Sequence, residues 1–537
     1  MCGLPSAKVS FYITEYKYTE YGNGVVCWHF SQKATLFFIE NVASLGLILA
    51  NENVMVTIDG VTYFSGTGER MEKTKTKKYE MDMCSGSIVK KMLIFTLPLM
   101  ASSVLQLLFN AADIVVVGRF GSEHSLAAVG SNGSMVSLLT SLFIGLSVGV
   151  NVLVAHSYGA NQERELRETI HTAMMISLVS GAALTILGVI ASRFLLILMQ
   201  VPAEVLELSV VYLRIYFLGM TATMVYNFGS AILRAVGDTK RPLYYLMAAG
   251  IINVVLNLFF VIVCHLDVAG VALATIISQY ISALLVVRCL MKEQGSIRLD
   301  LKQLHIYPDK LKRIIKVGLP AGLQSMVFSI ANVTVQSSIN TFGAITVAGA
   351  SAAGNIEGFV YVAQNAFYQA TISFTGQNMG AGKYKRTTRV LLAGQLCVIV
   401  VGLLLGNMMI LFGEELLGIY STSPEVIDAG FIKLRIMAGT YVLCGVMEVM
   451  VGAMRGLGYS VLPMVVSMLG ACGVRILWIQ TVFQLPQFHT IEGLYLSYPV
   501  SWIVSTVVHI GCYFLVRHHL KLRLGISFKE DKGDGKG

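Results

Sequence analysis

Long apolar stretches, each about as long as a membrane-spanning helix, dominate the chain from about residue 88 to residue 517. Crossing a bilayer as an α-helix takes about 20 mostly apolar residues. The sequence is 55% hydrophobic and only 13% charged, whereas soluble globular domains average about 25% charged residues. These features predict an all-α membrane protein. We expect about twelve transmembrane helices, over residues 92–116, 128–153, 170–196, 209–233, 243–264, 269–291, 313–339, 348–375, 388–412, 430–453, 461–484 and 493–517.

The first of these stretches, Lys91–Phe120, contains a carboxylate, Asp113. An acidic residue at the centre of a spanning helix costs about 2.5–3.5 kcal/mol on insertion scales, so it usually serves a function. The alternative is an Asp near a helix end that reaches the membrane surface or caps a neighbouring helix. The apolar run Ile114–Val117 separates Asp113 from the following loop, which favours the functional interpretation.

Residues 1–87 are predicted to be an N-terminal extension of different composition. The first 80 residues are aromatic and polar, and the apolar run LFFIENVASLGLILA is too short to span a membrane. This region lacks the basic start and small-residue cleavage site of a signal peptide. We expect translation to start at Met71, Met81 or Met83, with a genuine small extension of open role as the alternative.

Basic residues concentrate in alternate loops between the apolar stretches. Cytoplasmic loops carry an excess of Lys and Arg, so the pattern predicts that both termini lie in the cytoplasm of a cell (inner) membrane protein. The net charge of +9 therefore reports topology and not a nucleic-acid partner. The residues that set the pattern are Arg164, Arg167, Arg234, Lys240, Arg241, Lys302, Lys310, Lys312, Arg313, Lys383, Lys385, Arg386, Arg389, Arg517, Lys521 and Arg523.

The two halves of the chain repeat each other. A constant shift of 221 residues relates Arg234, Gly237 and Pro242 to Arg455, Gly458 and Pro463. Each unit has six predicted helices, an even number, so both enter the membrane from the same side. The predicted organisation is two six-helix lobes, 88–291 and 313–518, related by a pseudo-two-fold axis along the membrane normal. A cytoplasmic loop, 292–312, joins them, and 519–537 forms a cytoplasmic tail. Parallel repeats of this kind are common in secondary transporters.

Polar residues on the fifth and sixth predicted helices could join Asp113 in one site. Asn253 and Asn257 are four residues apart and share a helical face, and Thr275 lies on the next helix. Together these side chains offer oxygen ligands for a proton or a hard monovalent cation such as Na⁺. Burial disfavours the charged form of a carboxylate, so Asp113 could exchange protons across a gradient. The alternative for the two asparagines is interhelical hydrogen bonding, worth about 0.6 kcal/mol on average.

Most of the other polar intramembrane residues lie in the second half. Such groups rarely face lipid, so some are expected to line a substrate cavity. Glu357 and Glu448 could attract cationic substrates. The alternative for each is a helix-packing contact. The cavity candidates are Gln324, Asn332, Gln336, Glu357, Gln364, Glu448 and Arg475, and Asn365 and Gln369 share the same polar character.

Nothing in the sequence indicates an enzyme. There is no GxxxxGK[ST] phosphate loop and no HExxH motif. The nine cysteines show no CxxC spacing, so neither a disulfide framework nor a structural metal site is predicted. No cofactor is expected beyond a coupling ion.

The chain resembles the MATE (multidrug and toxic compound extrusion) family, and most closely its prokaryotic DinF-like branch. No single motif decides this, but their order and their recurrence in both halves do. The matching residues include Leu97-Pro98, Asp113 followed by Val117-Gly118-Arg119, Leu126–Gly130, Tyr158–Ala160, Ala231–Pro242, Gly376–Lys383 and Met454–Gly458.

This resemblance implies a monomer with two six-helix lobes around a central cavity, exporting amphipathic or cationic organic compounds in exchange for H⁺ or Na⁺. In DinF-like members a first-helix Asp, a fifth-helix Asn-x-x-x-Asp and a sixth-helix Thr form an ion-linked network. Asp113 and Asn253 match this pattern and Thr275 matches by spacing, whereas Asn257 stands where the second Asp often lies. Pro98 is the implied site of a bend in the first helix.

Two other functions were weighed against export. The first is a flippase for a lipid-linked precursor or polysaccharide from the same wider superfamily, whose members place more basic residues in the cavity. Arg475 would suit this function, whereas Glu357 and Glu448 argue against it. The second is a membrane receptor or scaffold without transport, which would leave the ion-site residues without a purpose.

Overall fold

The computed structural model describes residues 79–120, 123–199 and 201–525, and five short strands nearer the N-terminus. The chain divides into two compact units, Met1–Lys78 and Tyr79–Gly537. The proposed start sites Met81 and Met83 lie in the second unit, whereas Met71 lies outside the described residues.

The first unit contains a five-stranded sheet in the order β1-β2-β3-β4-β5. Its segments are rich in Val, Tyr and Thr, which favour a pleated conformation. β3 and β4 pair in parallel, and the other neighbouring strands pair antiparallel. The strands are β1 Val9–Ile13, β2 Tyr16–Tyr21, β3 Val25–His29, β4 Val54–Ile58 and β5 Val61–Phe64.

In the second unit the regular elements of the described residues are helical, as predicted. The first predicted lobe is built from seven α-helices, two of which form one bent pair with an angle of 45° between them. They are α1 Ile88–Phe120, α2 Glu123–Gly159, α3 Glu163–Leu198, the bent pair α4 Ala203–Leu218 and α5 Met220–Ala235, α6 Lys240–Leu258, extended by a π-turn at Phe259–Val263, and α7 Asp267–Lys292.

Two 3₁₀ turns, Gly295–Ile297 and Leu301–Gln303, lead into the second lobe. Its helices repeat the order of the first lobe with more interruptions. They are α8 Pro308–Asn340, α9 Ala344–Gly380, α10 Tyr384–Leu411, α11 Gly413–Gly418, α12 Pro424–Gly456, α13 Val461–Ser467, a π-turn at Met468–Gly473, α14 Val474–Gln480, a 3₁₀ turn at Val482–Gln484, α15 Ile491–Tyr495 and α16 Ser497–Leu524.

Among the described residues, ten spans are long and apolar enough to cross a membrane, and eleven if the bent pair α4/α5 counts as one. The predicted segment 348–375 lies in α9, which is long enough at 37 residues but is not one of these spans. Polar residues such as Glu357 and Gln364 lower its apolar character. They are buried where α9 packs along α12, so neighbouring helices rather than lipid surround them. The chain is therefore a multi-pass membrane protein.

The lobes meet at the end of the bundle that carries the basic loops. A Cβ atom added at Gly159, the last residue of α2, would lie 2.1 Å from the carbonyl oxygen of Gln377 on α9. Only glycine permits this backbone approach, because any side chain would overlap the opposite helix. The segment before α1 also joins both lobes. The Met81 N–H donates to the Val236 carbonyl at 3.4 Å, and the Met83 N–H donates to Gln377 Oε1 at 3.3 Å.

Helix α1 continues through Pro98. Proline has no N–H to complete the helical ladder, so its position remains the weakest point of the helix backbone. The Ser102 hydroxyl donates to the Pro98 carbonyl at 2.8 Å. A bend at Pro98 stays a prediction.

Candidate functional site

Close contact between α1 and α6 positions the predicted acidic site. A Cβ atom at Gly250 would lie 1.8 Å from the Phe109 ring, so glycine at this position allows that ring to sit against the α6 backbone. Asp113 lies one turn after Phe109, and Asn253 and Asn257 lie one and two turns after Gly250. Side chains that are three or four residues apart share a helical face. The packing therefore turns Asp113 and both asparagines toward each other.

The four residues predicted to couple ions form one hydrogen-bonded group. Asn257 Nδ2 donates to Asp113 Oδ1, and the Thr275 hydroxyl lies 3.3 Å from Asp113 Oδ2. Asn253 Nδ2 lies 3.4 Å from Thr275 Oγ1, and Asn257 Nδ2 lies 3.4 Å from Asn253 Oδ1. Three helices, α1, α6 and α7, thus converge on one carboxylate.

This group is buried and has no basic partner within the described residues. Asp113 is 8% exposed and Asn257 is fully buried. No described Lys or Arg forms an ion pair with Asp113, so only neutral donors stabilise its charge. A buried charge without an ion partner is unfavourable, which gives this site a reason to take up a proton or a cation.

Two side chains can adjust when the charge on Asp113 changes. The Thr275 hydroxyl has one hydrogen and two acceptors in reach, Asp113 Oδ2 and the Val271 carbonyl at 2.9 Å. Asn257 Oδ1 is buried without a hydrogen-bond partner. If the Asn257 amide rotates by half a turn, its oxygen faces Asp113 and can accept from a protonated carboxyl or contact a cation. The group therefore fits both the protonated and the ion-bound state.

The corresponding helices of the second lobe hold a cation instead. Arg475 on α14 is 2% exposed. Its guanidinium donates to Asn332 Oδ1 on α8 and to Ser501 Oγ on α16, each at 3.3 Å. Its Cζ lies 4.0 Å from the centre of the Tyr498 ring. The predicted cavity residues Arg475 and Asn332 are thus neighbours within the second lobe.

The other cavity candidates are spread over several environments. Glu357 is buried and forms an ion pair with Lys433 at 3.2 Å. Gln364 is buried and donates to the Tyr441 carbonyl at 2.9 Å. Gln336 is exposed and bonds Asn340 at 3.0 Å. Gln324 Oε1 accepts from Arg455 at 2.9 Å, and half-buried Glu448 precedes Arg455 by two turns on α12.

A cavity of about 250 Å³ lies between the lobes. Both lobes contribute to its wall, as expected for a transport path between two repeats. Asn365 and Gln369 lie on its wall, as does Ser102 close to Pro98. The lining residues are Leu99, Ser102, Ser103, Gln106, Ile144, Gly145, Ser147, Val148, Asn151, Tyr226, Asn227, Arg234, Pro242, Ala321, Ser325, Asn365, Ala366, Tyr368, Gln369, Ile372 and Arg455.

The MatE family model matches residues 98–259 and 320–479, one match in each predicted lobe. The chain belongs to the MatE family. This confirms the predicted MATE family, whose members are transporters and not enzymes. The narrower DinF-like assignment stays a prediction.

Relatives with assigned names cover most of this MatE chain. The "Probable multidrug resistance protein YoeA" of Bacillus subtilis is 27% identical over 439 residues, which are 80% of this chain and 94% of that protein. The "FAD transporter" of Shewanella oneidensis is 22% identical over 444 residues, 81% of this chain and 96% of that protein. A solved MOP-superfamily transporter from Pyrococcus furiosus has a TM-score of 0.76 at 23% identity, covering 83% of this chain and 98% of its own. That similarity confirms the two-lobe fold.

Among the cavity-wall residues that sequence reasoning missed are its two arginines, Arg234 and Arg455. The charge pattern assigned Arg234 to a basic loop, but the residue lies in the last turn of α5. The 221-residue shift that pairs it with Arg455 was the available signal. The two arginines lie at equivalent helix ends of the two lobes, and both line the cavity.

Proposed function

We propose that this protein is a secondary active antiporter that exports organic compounds across the cell membrane in exchange for H⁺ or Na⁺. The observation that carries the proposal is the buried Asp113 carboxylate, held by Asn257 and Thr275 from two other helices without a basic partner. The coupling ion is substrate for this site and not a resident cofactor.

The coupling step uses the charge on Asp113. Binding of a proton or Na⁺ neutralises the carboxylate and removes the cost of its burial, which favours one packing of α1, α6 and α7. Release restores the charge and favours another packing. Ion and substrate need different affinities for the two states, since otherwise neither can drive transport of the other. Pro98 is the proposed hinge through which α1 transmits the change to the cavity wall.

Sodium would find oxygen ligands but few charges at this site. The oxygens of Asp113, Asn253, Asn257 and Thr275 suit a hard monovalent cation, and the unpartnered Asn257 Oδ1 is a free ligand. Only one of these groups carries a negative charge, because Asn257 stands where a second acid would add one. A proton needs only that single carboxylate, so H⁺ is the simpler coupling ion.

The proposed topology places both termini in the cytoplasm and the basic loops on the same side. The lobes touch at that end through Gly159 and Gln377, so this conformation would be closed toward the cytoplasm. A monomer is sufficient for the proposed cycle, because the cavity lies between the two lobes of one chain.

Amphipathic or cationic drugs are the cargo that the family resemblance implies. The relative named as a probable multidrug resistance protein supports organic compounds as cargo. The case for a cationic cargo is weaker, because Lys433 already neutralises Glu357. A flippase for a lipid-linked precursor is the second candidate, and the arginines Arg234 and Arg455 on the cavity wall favour it.

Dye efflux from everted vesicles, first under an imposed pH gradient and then under an imposed Na⁺ gradient, tests the proposal. We expect wild type to respond to one gradient and Asp113→Asn to respond to neither. Asp428→Asn is the matched control, since Asp428 is an exposed acid on α12 and its variant should respond like wild type.

Each result has a clear meaning. The gradient to which wild type responds names the coupling ion. An Asp113→Asn protein that is inserted normally and transports as well as wild type would show that the coupling carboxylate lies elsewhere. Absence of dye transport by wild type under both gradients would contradict dye export and direct the next assay to lipid-linked substrates.

A further inference from the structure

The cavity between the lobes is positively charged. Its wall contains two guanidinium groups, Arg234 and Arg455, and no Asp or Glu among its described lining residues. The remaining polar wall groups, such as Asn151 and Gln369, are neutral. A binding site for cations would be expected to show the opposite balance, because a buried positive charge repels another at short range.

Arg455 is buried but not neutralised. It is 4% exposed, and its guanidinium donates to Tyr368 Oη and to Gln324 Oε1 at 2.9 Å. Both acceptors are uncharged, and the Nε of Arg455 has no hydrogen-bond partner although it is buried. Glu448, two turns earlier on α12, lies within electrostatic reach but forms no ion pair with Arg455 in the described residues. The guanidinium therefore keeps one buried donor, Nε, for another group.

Arg234, which is half-buried, repeats part of this arrangement in the first lobe. Its Nε is also buried without a partner, and no described carboxylate forms an ion pair with it. Arg234 and Arg455 are the penultimate residues of α5 and α12. Each lobe thus contributes one of the two arginines to the cavity wall.

A purely structural role explains these arginines poorly. Basic residues near helix C-termini are stabilised by the helix dipole by about 0.3–1 kcal/mol when exposed, but that role does not require burial. Buried charges are usually paired, because leaving one unpaired is costly. A bound anion that forms ion pairs with both guanidinium groups would explain why the cavity wall contains two of them without a partner.

We propose that Arg234 and Arg455 form an anion-binding site, so that the transported compound carries a phosphate, sulfonate or carboxylate group. This inference rests on the proposed function, because it names the substrate class of the same transport cavity. A planar guanidinium can bind two oxygens of such a group at once. Apolar and aromatic wall residues, such as Leu99, Ile144 and Tyr226, would hold the rest of the molecule. The predicted substrate is an amphipathic organic anion.

Binding to the purified protein in neutral detergent, without any gradient, tests this site separately from transport. The probes are three naphthalenes that differ in one group: 2-naphthyl phosphate, 2-naphthylmethanol and 2-naphthylmethylammonium. We expect the phosphate to bind at least about tenfold more tightly than the other two, as charge-assisted hydrogen bonds would give. Its affinity should fall as KCl is raised, while the affinity of the alcohol should not change.

The variants Arg455→Gln and Arg234→Gln should each lose most of the preference for the phosphate. Arg455→Lys keeps the charge and should retain part of it, even if the hydrogen bond to Gln324 is lost. Arg164→Gln is the control for net charge, because the Arg164 side chain is 91% exposed and outside the cavity. It should bind all three probes like wild type.

Competition separates two sources of the anionic group. Stronger displacement of naphthyl phosphate by dihexanoylphosphatidic acid than by phenyl phosphate assigns the site to a lipid headgroup, and the reverse assigns it to a soluble organic anion. Either result supports the anion site. Equal binding of the three probes, or a preference for the ammonium, overturns it, even if dye export coupled to Asp113 is intact. Preference for the phosphate without any transport would instead contradict the proposed function.

Discussion

The two lobes use the same three repeated helices to build buried polar groups of opposite charge. In the first lobe, α1, α6 and α7 surround the Asp113 carboxylate. In the second lobe, α8, α14 and α16 surround the Arg475 guanidinium. The repeat thus preserves the place of a polar centre inside each lobe while its chemistry has diverged. The fold thus places a polar centre at this position in each lobe, but it does not determine whether the centre is negative or positive.

The two centres differ in protonation chemistry as well as in the sign of their charge. A carboxylate can gain and lose a proton, whereas a guanidinium stays protonated in proteins. Arg475 also stacks on Tyr498 at 4.0 Å, which fixes its plane. We therefore expect the first lobe to change with ion binding and the second lobe to keep a constant internal charge.

The largest expected effect is that variants of the two centres lose different properties. Loss of Arg475 should lower stability, and loss of the Asp113 charge should remove ion dependence. Arg475→Ala removes a buried side chain together with its stacking and hydrogen bonds, and should lower the free energy of unfolding by about 2–4 kcal/mol. Asp113→Asn keeps the shape of the side chain and should change stability by about 1 kcal/mol or less. Thermal unfolding of the purified proteins measures both.

Transport should separate the two centres in the opposite direction from stability. Arg475→Gln, the milder change, should keep the dependence on an ion gradient even where the amount of folded protein falls. Asp113→Asn should lose that dependence. A loss of ion dependence in Arg475→Gln protein of normal stability would show that the two centres act together and that the division of roles is incorrect.

The same Asn→Asp change should have different consequences in the two lobes. Asn257→Asp places a second carboxylate beside Asp113, and the two negative charges repel each other unless a proton or cation lies between them. Transport should then gain dependence on Na⁺, with at least a tenfold shift in the Na⁺ concentration for half-maximal rate. Asn332→Asp places a carboxylate beside Arg475, where it completes an ion pair.

Asn332→Asp is therefore both a prediction and the control for Asn257→Asp. It should leave the ion dependence unchanged and raise stability by at most about 1 kcal/mol, the range for an ion pair with an exposed partner, since Asn332 is exposed. Transport rates across a Na⁺ series, with unfolding curves for each protein, measure both effects. Equal responses of the two variants to Na⁺ would remove the distinction between the lobes.

The sequence predicted the first centre better than the second. Asp113 is an isolated acid in an apolar helix, and the spacing of Asn253 and Asn257 identifies a helical face, so each signal is local. Arg475, Asn332 and Ser501 have no such spacing, because three separate helices supply them. Their contact depends on how α8, α14 and α16 pack, which the linear pattern does not contain.

The fold was predictable to a similar degree. The apolar pattern identified the helices, including α9 through the predicted segment 348–375. Its polar residues keep α9 out of the spans that are apolar enough to cross a membrane, and they are buried where α12 packs along it. Positive charge identified the loops, but it misplaced Arg234, which lies in α5 and lines the cavity. An arginine in a loop and an arginine at the inner end of a helix look alike in the sequence. Only the packing of the lobes shows which of them lines the cavity.

The smallest expected effect concerns the hydroxyl groups of the two centres. Thr275→Val keeps the shape of the side chain but removes the hydroxyl 3.3 Å from Asp113, a hydrogen bond worth about 0.5–1.5 kcal/mol. The ion concentration for half-maximal transport should therefore shift by about three- to tenfold. Thr275→Ser retains the hydroxyl and should behave like wild type.

In the second lobe, Ser501→Ala removes a comparable contact from Arg475 and should leave the ion concentration for half-maximal transport unchanged. An unchanged value in Thr275→Val would mean that the hydroxyl bonds the Val271 carbonyl in every state, so that Asn257 alone responds to the charge on Asp113.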